Sequence, residues 1–124
     1  MRALIVDDSK AMRMILRRAL KSCGFDDFVE AGDGREGLVA LTAGARPDVA
    51  LVDWNMPVMS GIEFVRAVRA DDAYDAMAVV MVTSETAFEH LEAALAEGAN
   101  EYVMKPFTDE ILVEKLALVL SGKS

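Results

Sequence analysis

Acidic, hydroxyl and basic side chains directly follow four short apolar runs of this 124-residue chain. Asp7 and Asp8 follow the first apolar run, Asp53 the third, Thr83 the fourth and Lys105 the fifth. Two carboxylates about 4 Å apart repel by about 4 kcal/mol at an effective dielectric of about 20, so three of them beside one lysine need a further cation. Mg²⁺ suits an incomplete set of oxygen ligands that leaves positions for water and phosphate oxygens. A carboxylate nucleophile beside Mg²⁺, a lysine and a hydroxyl is equipped for phosphoryl transfer.

Five apolar runs predict the strands that would position these side chains. The runs are too short for helices, and the central ones do not alternate with polar residues, as expected of strands covered on both faces. They cover residues 3–6, 28–31, 49–52, 78–82 and 102–104. Between the runs, apolar residues recur with helical period. Over 9–23, for example, Ile15, Leu16 and Leu20 share one stripe while Arg13 and Arg17 lie off it.

Local signals mark the ends of the predicted helices. Gly24, Gly44 and Gly98 stand where helices are expected to end. Two pairs have the spacing of a capping box, namely Ser60 with Glu63 and Thr86 with Glu89. Strand and helix thus alternate five times without a linker or repeat. This pattern predicts one α/β domain over residues 1–124, a doubly wound parallel sheet with helices on both faces.

The predicted sheet brings the polar residues together. In open parallel sheets, ligands bind beyond the carboxyl ends of the strands, and these side chains stand at those ends. An aspartate at a strand end is also a common helix N-cap, and each aspartate taken alone fits that role. The coincidence at four strand ends favours a shared site.

Composition and charge exclude several classes of protein. The chain has 13 Lys and Arg against 21 Asp and Glu, a net charge of −8 and a pI of about 4.6, which argues against nucleic acid as a partner. A single cysteine, Cys23, excludes an internal disulfide and is compatible with a reducing cytosol. The apolar start runs straight into Asp7, which is unlike a signal peptide. No apolar run approaches the roughly 18 residues of a membrane span. We therefore expect a cytoplasmic protein without membrane insertion.

Four segments resemble the receiver domain of bacterial two-component response regulators, most strongly its stand-alone chemotaxis members. The segments are 4–9 (LIVDDS), 53–61 (DWNMPVMSG), 82–85 (VTSE) and 102–107 (YVMKPF). Their order and spacing match the family along the whole chain. The resemblance implies a flavodoxin-like sheet of strand order 2-1-3-4-5 and a single receiver domain.

The resemblance also implies roles for individual residues. Asp53 would accept a phosphoryl group from a histidine of a sensor kinase. Mg²⁺ would be held by Asp8, Asp53 and the backbone carbonyl of Asn55, with Asp7 assisting through water. Lys105 would pair with the Asp53 carboxylate and later with the phosphoryl group.

The resemblance also implies residues that take part in the conformational switch and residues that set the lifetime of the phosphorylated state. Thr83 would hydrogen-bond a phosphoryl oxygen, and Tyr102 would rotate from outward to inward. Asn55 and Glu85 would tune dephosphorylation. The peptide bond between Lys105 and Pro106 is expected to be cis, which an X-Pro bond adopts at a cost of about 1 kcal/mol.

The resemblance implies a signalling module that catalyses only its own phosphorylation and dephosphorylation. Its output would be a downstream protein target, bound through the face formed by helix 4, strand 5 and helix 5. The apolar stripe within 111–120 is wider than one buried face needs, which fits either such a surface or a C-terminal helix that packs deeply. Chemotaxis or motility control is the expected pathway, and a stand-alone phosphorelay receiver outside chemotaxis is the alternative.

Chemotaxis members usually carry basic residues early in helix 4, whereas this chain has Thr86, Ala87 and Phe88. We expect a monomer that can dimerise on activation.

Three rival functions match the sequence less well. Residues 32–37 (GDGREG) fit the dinucleotide-binding pattern, but Asp33 and Glu36 would place two negative charges beside a pyrophosphate, and their spacing is that of a helix start. A haloacid dehalogenase-type phosphohydrolase needs an acidic residue as general acid/base two residues after the nucleophile, where this chain has Asn55. A flavin mononucleotide carrier would need a Ser/Thr-rich loop after the first strand.

His90, the only histidine, is expected to be a solvated surface residue.

Overall fold

The computed structural model describes residues 1–84 and 88–120, in which strands and helices alternate along the chain. The strands are β1 (Arg2–Val6), β2 (Asp27–Ala31), β3 (Val49–Val52), β4 (Ala78–Thr83) and β5 (Glu101–Met104). The helices are α1 (Lys10–Ser22), α2 (Gly34–Thr42), α3 (Gly61–Arg69), α4 (Phe88–Ala96) and α5 (Asp109–Leu120), with a short 3₁₀ turn at Asp72–Tyr74. All five predicted strands are present, and their ends agree with the predicted ones to within one residue.

The strands form one parallel sheet in the order β2-β1-β3-β4-β5. The doubly wound fold and the strand order 2-1-3-4-5 are therefore confirmed. Thr83, expected just after β4, is instead its last residue because it pairs with Met104 of β5. The Lys105 backbone N–H donates to the Thr83 carbonyl at 2.9 Å, so the ends of these two strands are joined next to the predicted site.

Two apolar cores cover the two faces of the sheet. Alternate residues of each strand point to opposite faces, and β3 and β4 are buried along their whole length. One core packs α1 and α5 on the sheet through Leu16, Leu20, Leu112 and Leu116. The other core packs α2, α3 and α4 on the opposite face through Leu41, Phe64, Val65, Val68 and Ala94. The sheet edge that carries the polar residues is thus held between two packed layers.

The helices start and end where local signals predicted. Ser60 and Glu63 form a complete capping box at the start of α3. At the start of α2, the Asp33 side chain accepts a hydrogen bond from the Glu36 backbone N–H at 2.8 Å, and Glu36 accepts one from Gly32 at 3.0 Å. The helix-start interpretation of residues 32–37 is therefore confirmed. Thr86, of the second predicted capping box, lies outside the described residues.

One apolar side chain that the helical period placed on a buried stripe is exposed. Ile15 of α1 is 44% exposed. On α5, Leu112 and Leu116 are buried while Ile111, Val113 and Leu118 are exposed, so this helix carries apolar side chains beyond its buried face. The side chain of Phe88 lies outside the described part of the chain. Among the described residues, no helix is long and apolar enough to cross a bilayer.

A candidate acidic site at the carboxyl edge of the sheet

Three carboxylates meet beyond the ends of the neighbouring strands β1 and β3. Val6 pairs with Val52, so Asp7 and Asp53, the next residue of each chain segment, emerge side by side. A carboxylate oxygen from each of Asp7, Asp8 and Asp53 lies within 4.8 Å of the others. Asp7 is 2% exposed and Asp53 9% exposed, whereas Asp8 is exposed. The cluster therefore has a buried base and one side open to solvent.

These aspartates are not helix caps, which was the competing interpretation of each one. The N-cap of α1 is Ser9, that of α2 is Asp33 and that of α3 is Ser60. Helix capping therefore does not account for the three carboxylates at this edge of the sheet.

Lys105 reaches the cluster from the end of β5. Its Nζ lies 3.1 Å from Asp7 Oδ2 and 3.6 Å from Asp53 Oδ1. The predicted pairing with Asp53 is present, but the shorter contact is with Asp7. One ammonium is therefore shared between two buried carboxylates. The predicted cis peptide bond between Lys105 and Pro106 is also present.

Arg13 supports the acidic loop and was not singled out from the sequence. Its Nη1 donates to the Asp7 backbone carbonyl at 2.6 Å, and its Nε donates to Glu30 at 3.0 Å. The Asp7 carboxylate in turn accepts a hydrogen bond from the Ser9 backbone N–H at 2.8 Å. A basic residue in the first turn of the helix after an acidic pair is the signal that could have identified it. Arg13 thus holds the Asp7 backbone, and the Ser9 bond orients the Asp7 carboxylate.

Burial raises the pKa of the Asp53 carboxyl above its ordinary value, and the nearby Asp7 charge raises it further. Lys105 and the Trp54 backbone N–H, which donates to Asp53 Oδ1 at 2.8 Å, act in the opposite direction. The balance shows that the positive groups of the chain do not fully compensate the ionised carboxylate. Hard oxygen donors with an excess of negative charge are the donor set that Mg²⁺ prefers, so these residues fit that ion.

The other predicted site residues occupy neighbouring positions. Thr83 is fully buried at the end of β4, beside β3. Asn55 is exposed in the loop after Asp53. Tyr102 of β5 is half-buried, and Lys115 Nζ of α5 lies 5.2 Å from the centre of its ring. Glu85 lies outside the described residues.

The loop between β3 and α3 folds tightly around the Asp53 backbone. Gly61 donates its N–H to the Trp54 carbonyl at 2.9 Å, and a Cβ at Gly61 would collide with the Asp53 carbonyl oxygen. Within this loop, Val58 has φ of 68° and is 74% exposed. The left-handed conformation disfavours a β-branched residue. The loop next to the carboxylates therefore contains one strained position.

An aromatic contact that the sequence did not reveal joins the site to α4. The Trp54 and His90 rings are stacked, with centroids 5.3 Å apart and planes 18° apart. His90 is exposed, as predicted, yet one face of its ring is covered by Trp54. Sequence spacing cannot indicate this pair because 36 residues separate its members.

The fold and the site together define a signalling receiver of the two-component type. Residues 3–117 match the response regulator receiver domain, and the chain belongs to this family. The resemblance predicted from four short segments is confirmed. This is a family of response regulators and not a family of enzymes with a separate substrate.

Chemotaxis proteins are among the relatives of this chain. It is 42% identical over 120 residues to chemotaxis protein CheY1 of Helicobacter pylori (strain J99), covering 97% of each chain. The structure of chemotaxis protein CheY4 of Vibrio cholerae superposes with a TM-score of 0.87 at 40% identity, covering 96% of this chain and 98% of that one. A complex of CheX with CheY, BeF₃ and Mg²⁺ from Borrelia burgdorferi contains a chain with a TM-score of 0.88 at 25% identity, covering 96% and 88%.

Proposed function

We propose that this chain is a phosphorylation-activated switch in chemotaxis signalling. Asp53 accepts a phosphoryl group from a phosphohistidine of a sensor kinase, and the protein then binds a downstream protein target. The observation that carries the proposal is the Asp53 carboxylate itself. It is 9% exposed, with Lys105 Nζ at 3.6 Å, and it belongs to a cluster of carboxylate oxygens within 4.8 Å of one another.

The residues supply the parts of an in-line phosphoryl transfer. One Asp53 carboxylate oxygen attacks phosphorus while the P–N bond of the phosphohistidine breaks, and the imidazole nitrogen leaves with the electron pair. Lys105 stabilises the negative charge on the transferred group. Asp7 keeps the Lys105 ammonium oriented, since its contact with Nζ is the shorter one at 3.1 Å.

The acidic cluster would hold Mg²⁺ through Asp8, Asp53 and the backbone carbonyl of Asn55, with Asp7 acting through water. The bound ion would neutralise charge that develops on the phosphoryl oxygens. The raised pKa of Asp53 supports this role, because a carboxylate short of compensating charge gains most from a cation. The related CheY of Borrelia burgdorferi forms a complex that contains CheX, BeF₃ and Mg²⁺.

Phosphorylation would act as a switch through β4 and β5. A phosphoryl group carries about two negative charges and three strong acceptors, and Thr83 at the end of β4 would hydrogen-bond one of them. Tyr102, on the neighbouring strand, would then turn inward. The exposed Ile111, Val113 and Leu118 on α5 supply apolar area for a partner on the α4–β5–α5 face.

Labelling with acetyl phosphate and Mg²⁺ tests the phosphoacceptor. We expect intact-mass spectra to show one added phosphoryl group on the wild type, mapped to residues 53–61, and none on Asp53→Asn. Asp33→Asn is the matched control, because Asp33 is equally buried at 9% and asparagine still caps a helix. It should be labelled normally. Equal labelling of Asp53→Asn would contradict the proposal, and steady turnover of p-nitrophenyl phosphate would favour a phosphohydrolase.

Amide spectra with beryllofluoride and Mg²⁺ test the switch separately. Beryllofluoride mimics the phosphoryl group on a carboxylate, so we expect resonances to shift from residue 83 through Tyr102 as well as around Asp53. A response confined to the neighbourhood of Asp53 would contradict the switch and leave the phosphoacceptor assignment standing.

A further inference from the structure

Trp54 is bonded to the Asp53 carboxylate and also stacked on α4. Its backbone N–H donates to Asp53 Oδ1 at 2.8 Å, while its ring lies against His90, 5.3 Å between centroids and nearly parallel. A single residue thus contacts both the reacting group and a helix of the proposed output face. Neither the phosphoacceptor chemistry nor the Thr83–Tyr102 switch uses this contact.

The Trp54–Asp53 hydrogen bond depends on the chemical state of the carboxylate. In the free protein the N–H donates to an ionised oxygen, and bonds to charged acceptors are roughly twice as strong as neutral ones. Once one carboxylate oxygen bridges to phosphorus, the other becomes a neutral carbonyl oxygen. The backbone of Trp54 is then held differently, and its ring moves with it.

The segment that follows α4 is held mainly by Arg69 of α3, and Arg66 adds an exposed ion pair. Arg69 donates from Nε to the Gly98 carbonyl at 2.9 Å and from Nη2 to Asn100 Oδ1 at 2.9 Å. Arg66 pairs with Glu97 at 3.1 Å. Any displacement of α4 is therefore concentrated at its N-terminal end.

The N-terminal end of α4 faces the loop after Asp53 through an aromatic contact. Among the described side chains of α4, only Leu91 and Ala94 are buried. His90 lies in the first turn of the helix, and its ring contact with Trp54 joins this end of α4 to the loop after Asp53.

We propose that His90 is a positioning residue that couples the state of Asp53 to α4 through the Trp54 ring. The proposal rests on the phosphoacceptor role of Asp53 given above. Formation of the acyl phosphate alters the Trp54 backbone bond, the ring shifts against His90, and α4 pivots about its anchored C-terminal end.

Variants of His90 and Trp54 test the coupling in the full chain with beryllofluoride and Mg²⁺. In His90→Ala we expect labelling at Asp53 to be unchanged, whereas the shifts of the Leu91 and Ala94 amides on activation are largely lost, because α4 no longer carries a ring that the Trp54 ring can move. His90→Phe keeps a ring and should restore the α4 response. Glu92→Ala, a change at an exposed residue of the same helix, is the matched control and should behave as the wild type.

The outcomes separate the two proposals. Trp54→Leu removes the other ring and should give the same loss as His90→Ala, with no further loss in the double variant. A full α4 response in His90→Ala overturns the coupling, as does failure of His90→Phe to restore it. Failure of the wild type to be labelled at Asp53 overturns the phosphoacceptor role, on which the coupling rests.

Discussion

At the scale of single residues, Asp53 combines burial with negative charge. Its pKa is raised because burial and Asp7 together outweigh Lys105 and the Trp54 N–H. The folded protein therefore binds the Asp53 proton more tightly than the unfolded chain does. In the absence of metal, the stability linked to this group is present below the unfolded carboxyl pKa and is lost as pH rises through the raised folded value.

Asp53→Asn is expected to raise the melting temperature at neutral pH in metal-free buffer. The variant removes a buried charge, while Lys105 keeps its 3.1 Å contact with Asp7 and is not left unpaired. The difference from the wild type should shrink as the pH falls and vanish once Asp53 is protonated in both folded and unfolded chains. Thermal melts across this pH range measure it, with Asp33→Asn as control. A lower melting temperature for Asp53→Asn at neutral pH would contradict the assigned balance of charges.

The strain at Val58 gives a second prediction at this scale. The residue has φ of 68° and is 74% exposed, so replacing it sacrifices little apolar burial. A left-handed conformation costs an ordinary residue about 1–2 kcal/mol, and asparagine tolerates it better. Val58→Asn should therefore raise the free energy of unfolding by about 1 kcal/mol, or the melting temperature by about 4 °C.

Val39 provides the control for this substitution. It is also exposed, at 60%, but it lies within α2, where asparagine has no conformational advantage. Val39→Asn should leave stability unchanged or lower it. Equal effects of the two substitutions would show that exposure, and not backbone conformation, determines the result.

At the scale of elements, Arg69 joins the end of α3 to the segments on either side of β4. Its guanidinium donates to the carbonyls of Tyr74 at 3.0 Å and Met77 at 2.8 Å, in addition to Gly98 and Asn100 at 2.9 Å. Burial lowers the pKa of Arg69 below its usual value. The four acceptors lie in different directions, and the planar fork of arginine matches them in a way that the single ammonium of lysine cannot.

Arg69→Lys should lower the free energy of unfolding by about 3 kcal/mol, because several part-buried carbonyls lose a charged donor. Urea denaturation measures the change. Arg66→Lys is the matched control on the same helix, since the Arg66–Glu97 pair is exposed on both sides and such pairs contribute about 0–1 kcal/mol. If the two lysine variants were equally stable, the bonds from Arg69 would not be what holds these segments together.

At the scale of the whole molecule, the sequence predicted the features that local pattern determines, namely the strands and the residues at their ends. Apolar runs such as 49–52 identify strands, and the strand-end rule then brings Asp7, Asp53 and Lys105 together without any distance being known. The roles of these residues stay predictions until the labelling experiment is done. The Arg69 contacts and the Trp54–His90 stack join distant positions through side-chain directions, which no periodicity encodes. The prediction that Ile15 lies on the buried face of its helix was wrong for a related reason. The width of a buried stripe depends on which helices pack beside it.

A cation can act on this acidic chain in two ways, by binding at a specific site or by screening its general negative charge. The net charge is −8, and any salt weakens repulsion between surface charges more than about 10 Å apart. Only the cluster of Asp7, Asp8 and Asp53, with oxygens within 4.8 Å of one another, offers Mg²⁺ a defined site among the described residues. Mg²⁺ should therefore stabilise the protein well beyond NaCl of equal ionic strength.

Thermal melts with increasing Mg²⁺ test this difference. Above the dissociation constant, each tenfold rise in Mg²⁺ should add about 1.4 kcal/mol, or about 5 °C. Asp8→Asn should greatly weaken the gain because it removes the exposed carboxylate of the cluster. Asp72→Asn is the matched control, since it changes the net charge equally at an exposed residue of the 3₁₀ turn, and it should keep the full gain. If both variants lose the gain alike, or if NaCl reproduces it, Mg²⁺ acts on the general charge of the molecule and not at the acidic cluster.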